Sequence, residues 1–182
     1  NGNEGKKSFP PGRIDDLLWN GLTRYGFETS DVVHERLDLK NVLITMLMHY
    51  GGLRLSECFH LWIEDVVPWE DGTALVMQPR FEYSKSHTLH AGWKAPKEDN
   101  ESRHFLQVWW FPRSAGETFN DLWRLYLTYQ RYPDGGKHPF AFTTQSGAPH
   151  SIKGYNQSLK RAVERIGLPF SKEAGTTAHA HR

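Results

Sequence analysis

Apolar residues recur along this chain mostly at helical intervals, broken by short stretches of strand spacing. Pro10-Pro11 precede a segment from Arg13 to Tyr25 in which Ile14, Leu17, Leu18, Leu22 and Tyr25 fall at helical spacing, with Gly26 as its stop. Residues 27–37 are polar and irregular. Leu39, Val42, Leu43, Met46, Leu47 and Tyr50 then form one helical stripe, and Gly51 is placed to take the left-handed conformation that closes it. A helix carrying Arg54 follows at once, anchored by Leu61 and Trp62. Asp71-Gly72 signal a turn. Thr73 to Met77 reads as a strand and His104 to Trp110 as a second, with one of the rings of Trp109 and Trp110 facing inward and the other outward. Between these strands lies a stretch rich in Lys, His, Pro and Asn, from about Pro79 to Arg103, in which Arg80 to Tyr83 is open to being further strand. A loop of that length in a compact domain is functional or mobile. Phe119, Leu122, Trp123, Tyr126 and Tyr129 mark another amphipathic helix, ended by Pro133-Asp134-Gly135-Gly136. Phe140 to Thr143 is a short apolar segment with a turn at Gly147. Ser151 is an N-cap, Tyr155, Leu159, Ala162, Val163 and Ile166 a helix stripe, and Gly167 its C-terminal stop. Residues 168–178 read as a loop leading to His179. The pattern predicts an α+β chain, mainly α, with a small antiparallel sheet inserted after the Arg54 helix.

Composition narrows the class. The chain has 182 residues, enough for one domain with a real core, and 38% apolar with 24% charged residues is a globular rather than a disordered balance. No apolar run approaches a membrane span, so no membrane partner is expected. Asn1 to Lys7 are polar and glycine-rich, lack the apolar core of a signal peptide, and make residues 1–12 a flexible lead-in. Cys58 is the single cysteine, which excludes an internal disulfide and a zinc–thiolate cluster and points to a reducing, intracellular home. Its apolar neighbours make it a buried small hydrophobe. A net charge of +1 neither advertises nor forbids nucleic-acid binding.

The candidate chemistry lies in the run Gly51-Gly52-Leu53-Arg54-Leu55-Ser56-Glu57-Cys58-Phe59-His60-Leu61. Arg54 and Glu57 are three residues apart, one helical turn, so that a carboxylate is placed to hold a guanidinium. A guanidinium held still grips a phosphate with two parallel hydrogen bonds. Alone, this is an ordinary helix-surface ion pair. The far end of the chain adds His179-Ala180-His181-Arg182, a second arginine with a histidine. Two arginines and a histidine donor make a preorganised anion hole for a phosphodiester under attack, in which each donor contributes roughly 3–4 kcal/mol to lowering the barrier. His87-x-x-His90 and His179-x-His181 are the alternative, a metal-ligating pattern. No zinc-protease motif accompanies them, and no metal or other cofactor is expected.

With these motifs in order, the chain resembles the catalytic domain of the tyrosine recombinase (phage integrase) family from about residue 13 to its end. Gly51 to Glu57, with Leu61 and Asp65 after it, is similar to the family's first arginine box. Pro139-Phe140-Ala141-Phe142, the turn, and the helix from Ser151 to Gly167 resemble the approach to the second box. Thr176-Thr177-Ala178-His179-Ala180-His181-Arg182 is similar to the family's His-x-x-Arg. The resemblance implies a helical recombinase core over 13–182 in which Arg54, His179 and Arg182 bind the scissile phosphate and Glu57 orients the site from behind. It implies a hairpin lysine as the general acid that protonates the departing 5′-oxygen. Lys97, six residues before Arg103, suits the family spacing, with Lys94 in reserve. The family's nucleophilic tyrosine lies beyond the second box, and none of this chain's tyrosines occupies that position. The nucleophile segment is therefore expected to be absent and the domain partial, inactive by itself in covalent catalysis. The implied function is a site-specific recombinase or integrase that cleaves and rejoins DNA through a 3′-phosphotyrosyl intermediate. Duplex DNA and a tetramer of the full-length protein are the implied partners, in the nucleoid-associated cytoplasm of a bacterium or its phage. A non-catalytic DNA-binding or regulatory module on the same fold is the alternative.

Overall fold

The computed structural model describes residues 12–77, 107–132, 138–168, 170–171 and 176–177. Its centre is a helix, α3 (Leu39–His49), in which all but Lys40 and His49 are buried. The expected single stripe is thus widened to nearly the full circumference, because Ile44 and Met48 on the far side are enclosed as well. A helix apolar all round belongs inside a fold rather than on its surface. Around it pack α4 (Leu55–Cys58), α5 (Arg113–Leu125) with the π-helical turn Tyr126–Gln130 that extends it, and α6 (Ile152–Arg165).

Two helices precede α3. The first is α1 (Ile14–Asp16), which runs into a π-helical turn at Leu17–Gly21 that rests on α6. Leu17, Leu18 and Leu22 are buried as their spacing predicts, but the helix ends short of Tyr25, which is 94% exposed. The cause is tertiary: Thr23 bridges to Leu37 and the Asp38 N–H donates to the Leu22 carbonyl at 2.9 Å, which pulls the chain into an extended path. The second is α2 (Val33–Arg36), a single turn inside the stretch read as irregular. One turn is too short to show an apolar stripe; hydrogen bonds at its N-terminus hold it, including Ser30 Oγ to Glu35 Oε1 at 2.9 Å.

After α4 comes a 3-10 turn, Ile63–Asp65, and then a hairpin, β1 (Val66–Pro68) and β2 (Ala74–Val76), antiparallel with Val66 opposite Val76 and Val67 opposite Leu75. This is the small sheet expected after the Arg54 helix; β1 lay outside the expected strands. Met77 bridges to Gln107 and the Val108 N–H donates to the Val76 carbonyl at 2.7 Å, so the segment at 107–108 runs along β2 as expected of the second strand. Val66, Val76 and Val108 share the inward face and are buried. Trp110 turns in, its indole N–H donating to the Ala74 carbonyl at 2.8 Å, while Trp109 is 74% exposed. Trp110, Phe119, Trp123, Tyr126 and Phe142 form a continuous chain of ring contacts that joins this sheet to α5 and to the segment before α6. A second hairpin, β3 (Phe170–Ser171) with β4 (Thr176–Thr177), replaces part of the loop expected at 168–178 and lies against α6. The architecture is mainly helical with small antiparallel sheets. Among the described residues no helix is long and apolar enough to cross a membrane.

Candidate phosphate-binding site

Arg54 is positioned by the way α3 stops. The Tyr50 and Gly51 N–H groups both reach back to the Met46 carbonyl, and the Leu53 N–H reaches the Leu47 carbonyl at 3.0 Å. The left-handed residue is Gly52, with φ of 77°, rather than the expected Gly51. Gly51 is required for a different reason: a Cβ there would lie 2.7 Å from the Leu47 carbonyl oxygen and 2.9 Å from Val108 Cγ1. One glycine turns the chain, and the other lets it pass close to the sheet segment. Leu53 then sinks into the core at 2% exposure, and the next side chain, Arg54, points to solvent.

The relation between Arg54 and Glu57 differs from the expected one. Arg54 is extended (φ −80°, ψ 157°) and sits at the N-cap of α4, so the two residues do not stack as neighbours on a helix face. Glu57 Oε1 accepts the backbone N–H of Arg54 at 2.7 Å. The carboxylate therefore fixes the main chain from which the guanidinium projects, instead of gripping the guanidinium itself. It meets one of the unpaired donors of the helix start, as the glutamate of a capping box does. The Arg54 guanidinium has no ion-pair partner among the described residues and is exposed, which leaves its donors directed at solvent.

The other residues of the run pack. Cys58 is fully buried with its thiol against the Ile44 carbonyl at 3.9 Å, and burial pushes its pKa well above the usual thiol value, which leaves it unreactive as expected. His60 is buried, its Nδ1–H donating to the Ser56 carbonyl at 2.9 Å, and burial lowers its pKa. Asp65 closes the 3-10 turn by accepting the Trp62 N–H at 3.0 Å. Leu61 and Ile63 pair with the segment carrying Phe140: Ala141 N–H to Leu61 O at 2.9 Å and Ile63 N–H to Pro139 O at 2.8 Å. The first and second resemblance motifs are thus brought side by side.

From there the chain reaches α6 through a buried polar relay. The His150 N–H donates to the Phe142 carbonyl, and its Nε2–H donates to Asn41 Oδ1 at 2.9 Å. Asn41 Nδ2 donates to Asp38 at 2.6 Å, and the main-chain carbonyl of Asn41 accepts from Thr45 Oγ1 at 2.7 Å. With the Thr45 hydrogen so used, the Tyr155 hydroxyl is the donor in their 2.8 Å contact. Ser151 caps α6 as expected, accepting the Gly154 N–H at 3.0 Å. Tyr126 is also locked, its hydroxyl donating to the Ala141 carbonyl and accepting the Thr143 N–H, both at 3.0 Å. Burial raises the pKa of both Tyr126 and Tyr155. Neither phenol is suited to attack a phosphate.

Lys94, Lys97, His179, His181 and Arg182, together with His87 and His90, lie outside the described residues; of the third motif only Thr176–Thr177 is described, in β4 beside α6. Among the described residues no three His, Cys, Asp or Glu side chains gather as a metal site would require. A cleft lined by Lys40, Arg161 and Arg165 was missed from the sequence, although the two arginines stand one turn apart on α6.

No family model matches the chain. It is 24% identical over 160 residues to transposase A from transposon Tn554 of Staphylococcus aureus, a match covering 82% of this chain and 37% of that protein. The chain thus spans well under half the length of the curated relatives it matches. Among solved structures, the XerH site-specific recombinase bound to its difH substrate in a pre-cleavage complex superposes with a TM-score of 0.55 over 96% of this chain and 39% of that one, at 13% identity. The same recombinase on a palindromic difH substrate, in a post-cleavage complex, gives 0.54 over 100% of this chain and 41% of that one, at 15% identity. The fold of this chain is that of a site-specific recombinase, in keeping with the tyrosine-recombinase resemblance of its motifs.

Proposed function

We propose that this chain is the phosphate-binding part of a site-specific DNA recombinase of the tyrosine type, acting on duplex DNA as a tetramer in its full-length form. The observation that carries the reading is Arg54: an exposed guanidinium on a main chain pinned by Glu57, at the position the arginine box requires, in a fold shared with a recombinase bound to DNA. In this reading Arg54, His179 and Arg182 bind the non-bridging oxygens of the scissile phosphate and stabilise the charge that builds there. Glu57 holds the Arg54 backbone, and Lys97, with Lys94 in reserve, gives the proton to the leaving 5′-oxygen. The attacking group is a tyrosine outside residues 1–182. The locked hydroxyls of Tyr126 and Tyr155 favour this over either of them as the nucleophile.

The test uses the full-length gene product on suicide duplexes drawn from a pool enriched by binding. Wild-type protein should form a covalent protein–DNA adduct that survives denaturation. Arg54→Ala should lower its formation by about a hundredfold or more, on the scale of losing one oxyanion-hole donor, while most DNA affinity is retained. Wild-type adduct formation by the variant would remove Arg54 from the site. Absence of any adduct with the wild type would favour the non-catalytic DNA-binding module.

A further inference from the structure

The cleft at the opposite end of α3 from Arg54 has a volume of ≈ 580 Å³, within the size range of small-molecule sites. Lys40 belongs to the first turn of α3 and Arg54 follows its last, so about 16 Å of helix separates the two places. The cleft walls carry four cations, Arg24, Lys40, Arg161 and Arg165, against one carboxylate, Asp38. That carboxylate is already engaged, by Asn41 Nδ2 at 2.6 Å and by Lys40 Nζ at 3.6 Å.

The cations are not equally committed. Arg165 donates to the Gly21 carbonyl, and Arg24 makes long bonds to the His34 and Glu35 carbonyls with its guanidinium over the Phe27 ring at 5.0 Å. Arg161 is exposed and has no ion-pair or hydrogen-bond partner among the described residues. It stands four residues before Arg165 on the same face of α6, a like-charge pair that weakens an isolated helix. A concave site walled by one sign of charge concentrates the opposite sign. Flat rings stand beside the cations: Tyr25 at 94% exposure, Phe27 at 43% and Tyr132 at 39% also line the cleft. Guanidinium groups match phosphate oxygens, and exposed aromatic rings offer faces on which bases stack.

We propose that this cleft binds a nucleotide unit, with Arg161 and Lys40 on the phosphate and the Tyr25–Phe27–Tyr132 rings toward the base. The unit has two possible sources, a free mononucleotide or one nucleotide of a single DNA strand. The site is independent of Arg54 and of the phosphate chemistry proposed for it.

The experiment titrates the 182-residue chain with adenosine monophosphate and, separately, with a fluorescent oligothymidylate, followed by calorimetry and anisotropy. At least one probe should bind the wild type. Arg161→Gln and Lys40→Gln should each weaken that binding by about tenfold, as loss of a charge-assisted contact does, and Arg54→Gln should leave it unchanged. Binding of the monophosphate alone assigns a free nucleotide; oligonucleotide binding displaced by the monophosphate assigns a DNA strand. Thermal unfolding of Arg161→Gln should be no earlier than that of the wild type, because the side chain is exposed and its loss relieves the like-charge pair with Arg165. The proposal is overturned by unchanged affinity in Arg161→Gln, by binding that depends on Arg54, or by no binding of either probe. Failure of the strand-cleavage test with Arg54→Ala would leave these outcomes untouched.

Discussion

His150 couples the fold to acid. Its ring is 6% exposed, lies against Phe59, and bonds through Nε2 to Asn41 on α3. Burial, with the Lys40 charge adding to it and Asp38 opposing it, lowers its pKa from 6.5 to about 4. Above about pH 6.5 the ring is neutral in folded and unfolded chains alike, and the site contributes its full stability. As pH falls below that, only the unfolded chain takes up the proton, so stability drops by about 1.4 kcal/mol per pH unit. The loss reaches about 2 kcal/mol at about pH 5 and levels near 3 kcal/mol below about pH 4. Against a total of about 5–15 kcal/mol for a domain, that is a large fraction. The check is urea unfolding, followed by tryptophan fluorescence, of the wild type and His150→Gln at several pH values. Glutamine cannot titrate, and its flexible amide does not reproduce the fixed Nε2–H bond to Asn41. Near pH 7.5 the variant should be less stable by about 1 kcal/mol, the net value of the bond to Asn41. Near pH 5 the order should reverse by a similar amount, because only in the wild type does proton uptake by residue 150 stabilise the unfolded chain. Parallel pH profiles for the two proteins would refute the assignment. His60, also buried and lowered, is common to both and cancels in the comparison.

Two further substitutions probe what holds Arg54 and α6 in place. Gly51→Ala places a Cβ 2.7 Å from the Leu47 carbonyl and 2.9 Å from Val108 Cγ1; it should cost about 1–3 kcal/mol in urea unfolding, as overpacking does. Ser151→Ala removes the acceptor for the Gly154 N–H and should cost about 1 kcal/mol by the same measurement.

Elements with strong local signals were legible in the sequence. The apolar spacing of α3, α5 and α6, the Ser151 cap, the Asp71-Gly72 turn and the strand before Met77 all announce themselves within a few residues. Where tertiary contacts decide, the sequence pattern is silent. The Thr23–Leu37 bridge ends α1 early, although Tyr25 continues the helical spacing. β1 offers only Val66–Pro68, too short for an alternation, and exists because Val66 meets Val76. Gly51 and Gly52 exchange roles because the close approach of Val108, fifty-seven residues further along the chain, cannot be seen from the local sequence. The same limit hid the basic cleft: Arg161 and Arg165 share a face of α6, but Lys40 and Arg24 join them only when α3 and the α1 turn pack there.

The run from Gly51 to Leu61 sorts itself by physical demand. Gly52 supplies a positive φ, Gly51 a close approach, and Leu53, Cys58 and Leu61 fill the core. Glu57 caps the short helix α4 through the Arg54 N–H. Each of these has a role in folding, and a substitution at any of them is a question of stability first. Arg54 answers to none of those demands: its side chain is exposed, and among the described residues it meets no carboxylate. A carboxylate that spends its hydrogen bond on the main chain beneath an arginine, and leaves the guanidinium open, does nothing for an ion pair. In the proposed function, this anchor fixes the main-chain point from which the guanidinium projects toward the phosphate, and preorganisation of that kind lowers the cost of binding and of catalysis.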